Sequence, residues 1–121
     1  MIDIDPLSLV LHFHEALNAR DLEAMMALQT ADCVFENTYP SPDGERFVGQ
    51  AAVRSFWEGF FLSSNESHFE VEEIFSLGER VVMRWTYHWW NELGAAGHIR
   101  GVDLYRIREG LIAEKLSYVK G

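Results

Sequence analysis

The sequence predicts an α+β fold in which three helices pack on a curved antiparallel sheet, all in one domain spanning residues 1–121. Two observations predict this class. Apolar residues recur at helical spacing through the first half of the chain, whereas the second half is rich in Val, Trp and Tyr and is divided by short turn signals. The 121 residues are 48% hydrophobic, which suits one domain with a sizeable core.

Three segments have the apolar periodicity of helices. Asp5 and Pro6 are typical of a helix start, because Asp caps the helix and Pro fits its first position. The apolar stripe that follows comprises Leu7, Val10, Leu11, His14 and Leu17. Asp21 caps a short second helix, and Gly49-Gln50 opens a third whose wide apolar face includes Trp57.

The remaining segments are predicted to be strands. A short strand at Cys33–Asn37 precedes a loop over Thr38–Gly44, which contains two prolines. A long meander follows, with strands at His68–Leu77, Arg80–Trp90, His98–Arg108 and Leu111–Val119. The three residues Arg108-Glu109-Gly110 predict a type I turn with a glycine bulge between the last two strands.

Composition and charge exclude several classes of function. The net charge of -9 disfavours binding to nucleic acid or to an anionic membrane. Cys33 is the single cysteine, lies among apolar residues and is predicted to be a buried, inert thiol. No leader pattern and no apolar stretch of about 18 residues is visible, so we expect a cytoplasmic protein.

Apolar residues on the second face of the sheet, such as Val102 and Leu104, predict a homodimer formed across that face. We predict no metal site and no cofactor. His12 and His14 are two residues apart on a helix, so their side chains point in different directions and cannot chelate one ion together.

Three stretches of the chain resemble a known family. They are Ala19–Ala24 with Ala31–Asn37, Phe47–Trp57, and Arg100–Lys115. Together they resemble the SnoaL-like superfamily, which has the cone-shaped fold of nuclear transport factor two, ketosteroid isomerase and the polyketide cyclases. The resemblance implies a central pocket. It does not imply one activity, because this fold is used by isomerases, hydrolases, cyclases, dehydratases and non-catalytic domains.

Asp103 is the strongest candidate for a catalytic residue. It lies in the middle of a predicted strand, where Asp is disfavoured, and apolar neighbours would disfavour its ionised form. It matches the acid that donates to the oxyanion in ketosteroid isomerase and resembles the acid/base aspartate of the polyketide cyclases. The predicted hairpin register places Lys115 directly opposite, and an ion pair would instead keep Asp103 ionised, which favours a base or a ligand-binding role.

Other positions depart from the catalytic patterns of the superfamily. Asn37 and Phe13 stand where the isomerase has its general-base aspartate and an oxyanion-hole tyrosine, so we do not expect steroid isomerisation. Thr86 and Ser117 stand where the epoxide hydrolases have water-activating aspartates, although Arg84 matches their central arginine. We therefore do not expect epoxide hydrolysis either.

The remaining candidates line a predicted pocket or its mouth. His88 is a candidate general base, because a free imidazole titrates near neutral pH and His88 faces His98 across a turn. The predicted substrate-binding residues are Asn37, Tyr39, Trp57, Arg84, Trp85, Lys115 and Ser117. The sequence leaves open which face of the strand Arg80–Trp90 points into the pocket.

These residues support three hypotheses of function. The first is binding of a small apolar or aromatic carbonyl compound with acid/base chemistry at Asp103, of the cyclase, isomerase or dehydratase type. The second is a non-catalytic small-molecule-binding or accessory domain, which the residues at positions 13 and 37 favour. The third is a protein-interaction module.

Overall fold

The computed structural model describes residues 5–63 and 66–121 and contains three helices and one six-stranded sheet. The elements are α1 (Pro6–Asn18), α2 (Leu22–Ala27), β1 (Gln29–Glu36), β2 (Arg46–Val48), α3 (Gln50–Ser63), β3 (Glu66–Leu77), β4 (Arg80–Trp90), β5 (Ala96–Arg108) and β6 (Leu111–Val119). The predicted α+β class is confirmed. Residues 64 and 65, between the predicted third helix and the predicted strand His68–Leu77, lie outside the described residues.

The sheet has the strand order β2-β1-β6-β5-β4-β3 and is mixed. β1 pairs with β6 in parallel, with Phe35 beside Lys115, and every other neighbouring pair is antiparallel. The prediction of a wholly antiparallel sheet was therefore wrong. A parallel pair needs a long crossover, and α3 with the β3–β5 meander supplies it. The third helix, α3, follows β1 as the order of the predicted segments indicated, and the short strand β2 between them was not predicted.

The hairpin between β5 and β6 is tighter than predicted. Arg108 pairs with Leu111, so only Glu109 and Gly110 lie in the turn, with φ angles of 52° and 77°. Two consecutive residues with positive φ are typical of a type I′ turn, whose twist suits the flanking strands. The predicted three-residue turn was therefore wrong.

A register shift follows the turn, between the pairs Ile107–Ile112 and Arg106–Glu114. This bulge places Ser117, not Lys115, directly opposite Asp103. The prediction was thus wrong by two residues. Because side chains alternate with a period of two, Lys115 still lies on the same face of the sheet as Asp103.

The sheet has an inner face covered by helices and an outer face. Odd-numbered residues in the middle of β4 and β5, such as Met83 and Tyr105, are buried on the inner face. The helix α1 packs on β3 and β4, and α3 packs on β1 and β2. Both predicted N-caps are present, since Asp5 accepts from the Ser8 N–H at 2.9 Å and Asp21 accepts from the Ala24 N–H at 3.1 Å.

The side chain of Asn18 joins the end of α1 to β3 through two hydrogen bonds. The Asn18 amide donates to the carbonyl of Phe69 at 2.9 Å and accepts from its N–H at 2.8 Å. This pair of hydrogen bonds fixes the last turns of α1 against the inner face. It thereby sets the position of His14, one turn earlier in the same helix.

Candidate functional site

A cavity of about 90 Å³ lies between the helices and the inner face of the sheet. The helix α3 and the strands β1, β3 and β4 contribute apolar side chains, whereas β5 and β6 contribute the polar side chains of Asp103, Lys115 and Ser117. The lining residues are His14, Leu17, Phe35, Asn37, Thr38, Phe56, Trp57, Phe60, Phe69, Met83, Trp85, Asp103, Lys115 and Ser117. A small apolar cavity with few polar groups is typical of a ligand-binding site.

Asp103 lines this cavity and is 3% exposed. Its Oδ2 accepts a hydrogen bond from the Tyr105 hydroxyl at 3.1 Å and lies 3.3 Å from Lys115 Nζ. Its Oδ1 is buried and has no hydrogen-bond partner among the described residues. One carboxylate oxygen is thus fixed by the protein, while the other is available to a ligand.

Lys115 is the cation of the site and is 6% exposed. Its Nζ donates to Ser117 Oγ at 2.9 Å and lies 4.5 Å from the centre of the Phe35 ring and 5.6 Å from that of Trp57. The ion pair with Asp103 that the strand pairing predicted is therefore present. Two aromatic faces and a hydroxyl also compensate the buried ammonium group.

Tyr105 holds the carboxylate of Asp103 from the same strand, two residues away. Complete burial, followed by the negative charge of Asp103, raises the pKa of the Tyr105 hydroxyl well above its ordinary value. The hydroxyl consequently keeps its proton and acts as a permanent donor to Asp103. Its spacing from Asp103 on the strand is a signal that the sequence already contained.

His14 also lines the cavity, and sequence reasoning did not identify it as a site residue. The side chain is 5% exposed, and Nε2 donates to the carbonyl oxygen of Phe69 at 2.8 Å. Nδ1 is buried without a partner among the described residues. Burial lowers the pKa of His14, against the opposing effects of the Phe69 carbonyl and the Asp103 charge. The available signal was a histidine inside an apolar helical stripe.

Trp85 supplies a third unpartnered polar atom, its indole Nε1, among the described residues of the cavity wall. The indole lies over Gly101 on β5. A Cβ atom at Gly101 would come within 2.4 Å of the Trp85 ring and of the Tyr118 carbonyl oxygen. The absence of a side chain at this position therefore makes room for the indole.

Six of the nine predicted site residues line the cavity: Asn37, Trp57, Trp85, Asp103, Lys115 and Ser117. Asn37 also has a role in the following loop, because its Oδ1 accepts from the Glu45 N–H at 2.7 Å. The structure answers the question of β4 orientation, since its odd-numbered residues face the cavity.

The other three predicted residues lie elsewhere. Tyr39 is 78% exposed. Arg84 and His88 are even-numbered residues of β4, so they lie on the outer face, where Arg84 pairs with Glu72 and His88 Nε2 lies 2.9 Å from Glu70. The structure thus does not bring His88 and Asp103 together.

A second, more polar cavity of about 330 Å³ adjoins the first and is called the vestibule below. It is lined by Glu36, Asn37, Thr38, Pro42, Asp43, Ser117, Tyr118 and Val119. Three of these residues, Asn37, Thr38 and Ser117, line both cavities. A molecule whose end occupies the inner cavity would therefore extend past these residues.

Neither a metal-ligand cluster nor a membrane-spanning helix is found in the part of the chain that the structure describes. Within residues 5–63 and 66–121, no group of three or more His, Cys, Asp or Glu side chains is arranged to hold a metal ion. In the same part of the chain no helix has the length and apolar character needed to cross a membrane. Cys33 is buried, as predicted, and burial raises the pKa of its thiol.

Comparison with known proteins places the chain in a known family of domains. The family description "SnoaL-like domain" matches residues 10–115. A protein of unknown function from Mesorhizobium loti, described as similar to nuclear transport factor two, is 34% identical; the match covers 96% of this chain and 91% of that one, with a TM-score of 0.79. None of the curated proteins matches the chain significantly.

Two more distant structures share the fold. A Mycobacterium tuberculosis protein in complex with estradiol-17beta-hemisuccinate is 24% identical, with 94% of this chain and 93% of that chain covered and a TM-score of 0.77. A Catenulispora acidiphila protein with a ketosteroid isomerase-like fold, in complex with trimethylamine, is 15% identical, with 91% and 83% covered and a TM-score of 0.79.

Proposed function

Since the chain belongs to the SnoaL-like domain family, we propose that its 121 residues form one domain that binds a small carbonyl compound in the inner cavity, where Asp103 acts as a general base. The observation that carries this proposal is the state of the Asp103 carboxylate. One oxygen is fixed by Tyr105 and Lys115, and the other faces the cavity without a partner among the described residues.

The surroundings of Asp103 favour a proton acceptor over a proton donor. Lys115 at 3.3 Å and the Tyr105 hydroxyl at 3.1 Å both stabilise the ionised carboxylate. A base in this position removes a proton from the carbon next to a carbonyl group, and the electron pair of the C–H bond moves into an enolate. The Trp85 N–H is the unpartnered donor that would hydrogen-bond to the enolate oxygen.

The size of the cavity limits the part of the ligand that it holds. A cavity of about 150 Å³ accommodates benzene, whereas the inner cavity measures about 90 Å³. We infer that the carbonyl end of the ligand occupies the inner cavity and that the rest of the molecule extends into the vestibule. The ligands in two structures of the same fold, estradiol-17beta-hemisuccinate and trimethylamine, are consistent with a small-molecule site.

A non-catalytic binding domain is the second candidate. Asp103 is the single carboxylate among the described residues that line the inner cavity. The Asn37 amide oxygen already accepts from the loop, and Phe13 has no hydroxyl with which to complete an oxyanion site. A domain with one carboxylate, and without a second base or an oxyanion-binding hydroxyl, would bind ligands without converting them.

Exchange of carbon-bound protons for deuterium separates the two candidates. We expect the protein in D₂O to catalyse exchange next to the carbonyl of acetone, cyclopentanone or acetophenone, followed by NMR. Asp103→Asn should abolish this exchange because an amide is not a base at neutral pH, while the exposed control Glu92→Gln should leave it unchanged. Binding without exchange by the natural chain would support the second candidate instead, and neither binding nor exchange would contradict both.

We also propose that the chain forms a homodimer through the outer face of the sheet. A row of apolar side chains crosses this face, with Phe75 on β3 beside Val82, then Leu104 and Leu116. Phe75 is 52% exposed, so this row contacts solvent in the single chain. The molecular mass in solution, measured by light scattering, tests this, and Leu104→Arg should reduce it to that of one chain.

A further inference from the structure

The unpartnered polar atoms of the inner cavity define a hydrogen-bonding pattern. Asp103 Oδ1 is an acceptor, Trp85 Nε1 is a donor, and His14 Nδ1 is the third atom. All three belong to residues that line the cavity and are buried by nine-tenths or more. A simple ketone offers only an acceptor, so it would pair with the indole and leave His14 without a partner.

The hydrogen bond made by Nε2 of His14 determines whether Nδ1 is a donor or an acceptor. Nε2 lies 2.8 Å from the Phe69 carbonyl oxygen, which can only accept, so Nε2 carries the hydrogen. Burial lowers the pKa of His14 from its ordinary value, which favours the neutral ring. In the neutral ring with a hydrogen on Nε2, Nδ1 has a free lone pair and is an acceptor.

A purely structural role does not account for this histidine. The Phe69 carbonyl also accepts from the Asn18 amide at 2.9 Å, so it would remain paired without His14. The position belongs to the apolar stripe of α1, where an apolar side chain would pack without burying a polar atom. A buried polar atom without a partner is unfavourable, which points to a partner that arrives with the ligand.

We propose, on the basis of the function proposed above, that His14 is a specificity-determining residue whose Nδ1 accepts a hydrogen bond from a hydroxyl group of the ligand. The ligand class is then hydroxy ketones and hydroxy aldehydes. In such a compound the carbonyl oxygen accepts from Trp85, the hydroxyl donates to His14, and the carbon between them presents its proton to Asp103. Both unpartnered nitrogens then have hydrogen-bond partners, and the unpartnered carboxylate oxygen of Asp103 lies beside the proton that it removes.

Matched pairs of ligands test this specificity. Hydroxyacetone and butanone differ by a hydroxyl in place of a methyl group, and so do α-hydroxyacetophenone and propiophenone. We expect the natural chain to bind the hydroxyl member of at least one pair about five- to tenfold more tightly, the value of one net hydrogen bond. NMR titration of the backbone amides around the cavity measures both affinities under the same conditions.

Two substitutions at the same position separate recognition from structure. His14→Gln can keep a donor near Nε2 for the Phe69 carbonyl but lacks the Nδ1 acceptor, whereas His14→Asn places an amide oxygen near Nδ1 and loses the donor to Phe69. We expect His14→Gln to bind both members of a pair equally and His14→Asn to retain part of the preference. The exposed neighbour His12 supplies the control variant His12→Gln, which should match the natural chain.

Each outcome bears on the proposal. Equal binding of both members by the natural chain would overturn the specificity and leave the function proposed above intact. A preference for the hydroxyl member that persists in His14→Gln would overturn the role of His14. It would indicate that the hydroxyl group of the ligand donates to Asp103 instead. Binding of neither member in either pair would overturn both proposals. Should His14→Gln fail to fold, as judged by its amide spectrum, the preference of His14→Asn and of the natural chain decides the question.

Discussion

The ion pair between Asp103 and Lys115 is the feature on which the candidate site depends most. Both side chains are more than nine-tenths buried, and each is held by a further hydroxyl, from Tyr105 and from Ser117. Removing two charges from water is costly, and their attraction offsets this cost only when the remaining polar groups are satisfied. The free energy of unfolding therefore depends on whether both partners are present.

Removal of one partner should destabilise the chain more than removal of both. We expect Lys115→Met to lower the free energy of unfolding by about 3–5 kcal/mol, because it leaves the Asp103 carboxylate buried without its cation. The double variant Asp103→Asn with Lys115→Met should recover part of that loss. Urea unfolding of the four chains of this cycle measures the coupling.

The exposed arginine on β4 provides a control for this cycle. Arg84→Met removes a cation whose side chain is 45% exposed, so we expect a change of about 1 kcal/mol or less. A Lys115→Met variant no less stable than Arg84→Met would contradict the importance that we assign to the buried pair.

Strand alternation was sufficient to identify the main residues of the site, and helical periodicity was not. Asp103 stands out as an acid among apolar residues on a strand, and Lys115 follows from hairpin pairing. His14 occupies the stripe that packs on the sheet, where periodicity predicts burial but does not distinguish a packed ring from one that faces a cavity. The location of Arg84 and His88 could be predicted only by knowing which face of β4 points into the cavity. Alternation does not determine this when both faces of a strand carry large side chains.

At the scale of elements, the β5–β6 hairpin shows how a local error leaves a correct conclusion about the site. The sequence Arg108-Glu109-Gly110 is compatible with either a three-residue or a two-residue turn, and only the second is present. Together, the shorter turn and the bulge that follows it shift the pairing by two residues from the predicted register. Because two is an even number, Lys115 stays on the same face of the sheet as Asp103. No local pattern marked that bulge, because its position depends on the pairing of β6 with both neighbours.

The type I′ turn of this hairpin carries a residue that disfavours it. Glu109 has a φ of 52°, in the left-handed region that costs most residues energy and that Asn tolerates better. We expect Glu109→Asn to raise the free energy of unfolding by about 0.5–1 kcal/mol, because Asn-Gly is the preferred pair for this turn. Thermal and urea unfolding would measure the gain.

Gly110 gives the matched comparison within the same turn. Its φ is 77°, so Gly110→Ala should lower the free energy of unfolding by about 1 kcal/mol. A destabilised Glu109→Asn variant would show that the Glu109 side chain contributes more to the folded chain than the strain of its backbone costs.

At the scale of the whole molecule, the sequence predicted the class and most of the element boundaries but not the parallel pairing. β4 and β6 occupy the residues that β-propensity and turn signals indicated. β1 and β6 are separated by more than half of the chain, and no local pattern reports which distant strand lies beside which. β2 was missed because three residues between a loop and a helix carry too little periodicity.

The free energy of unfolding of the whole molecule should decrease as the pH falls below about 6.5. Burial lowers the pKa of His14 in the folded chain from the ordinary 6.5, so the unfolded chain binds more protons in this range. Protonation then favours the unfolded state as the pH falls. The charged and titratable groups that act on His14 are Asp103, Lys115 and His68. Unfolding by urea at a series of pH values measures the slope.

His14→Gln should remove most of this slope, and the exposed control His12→Gln should keep it. The carboxyl groups whose pKa is lowered by arginine or hydroxyl partners, Glu23, Asp32 and Glu72, lose their stabilising effect only at lower pH. A slope below about pH 6.5 that is equal in all three chains would show that His14 does not cause it.

The position of β6 has a consequence for the synthesis of the protein. β6 is the last of the described strands along the chain, yet it lies in the interior of the sheet, between β1 and β5. A nascent chain that lacks residues 111–119 contains β1 and the strands β3 to β5, but it lacks the strand that pairs with both β1 and β5. Lys115 and Ser117 arrive with that same segment. We therefore expect the sheet and the cavity to close in a single step once β6 has been made, and translation products that stop short of β6 to be degraded.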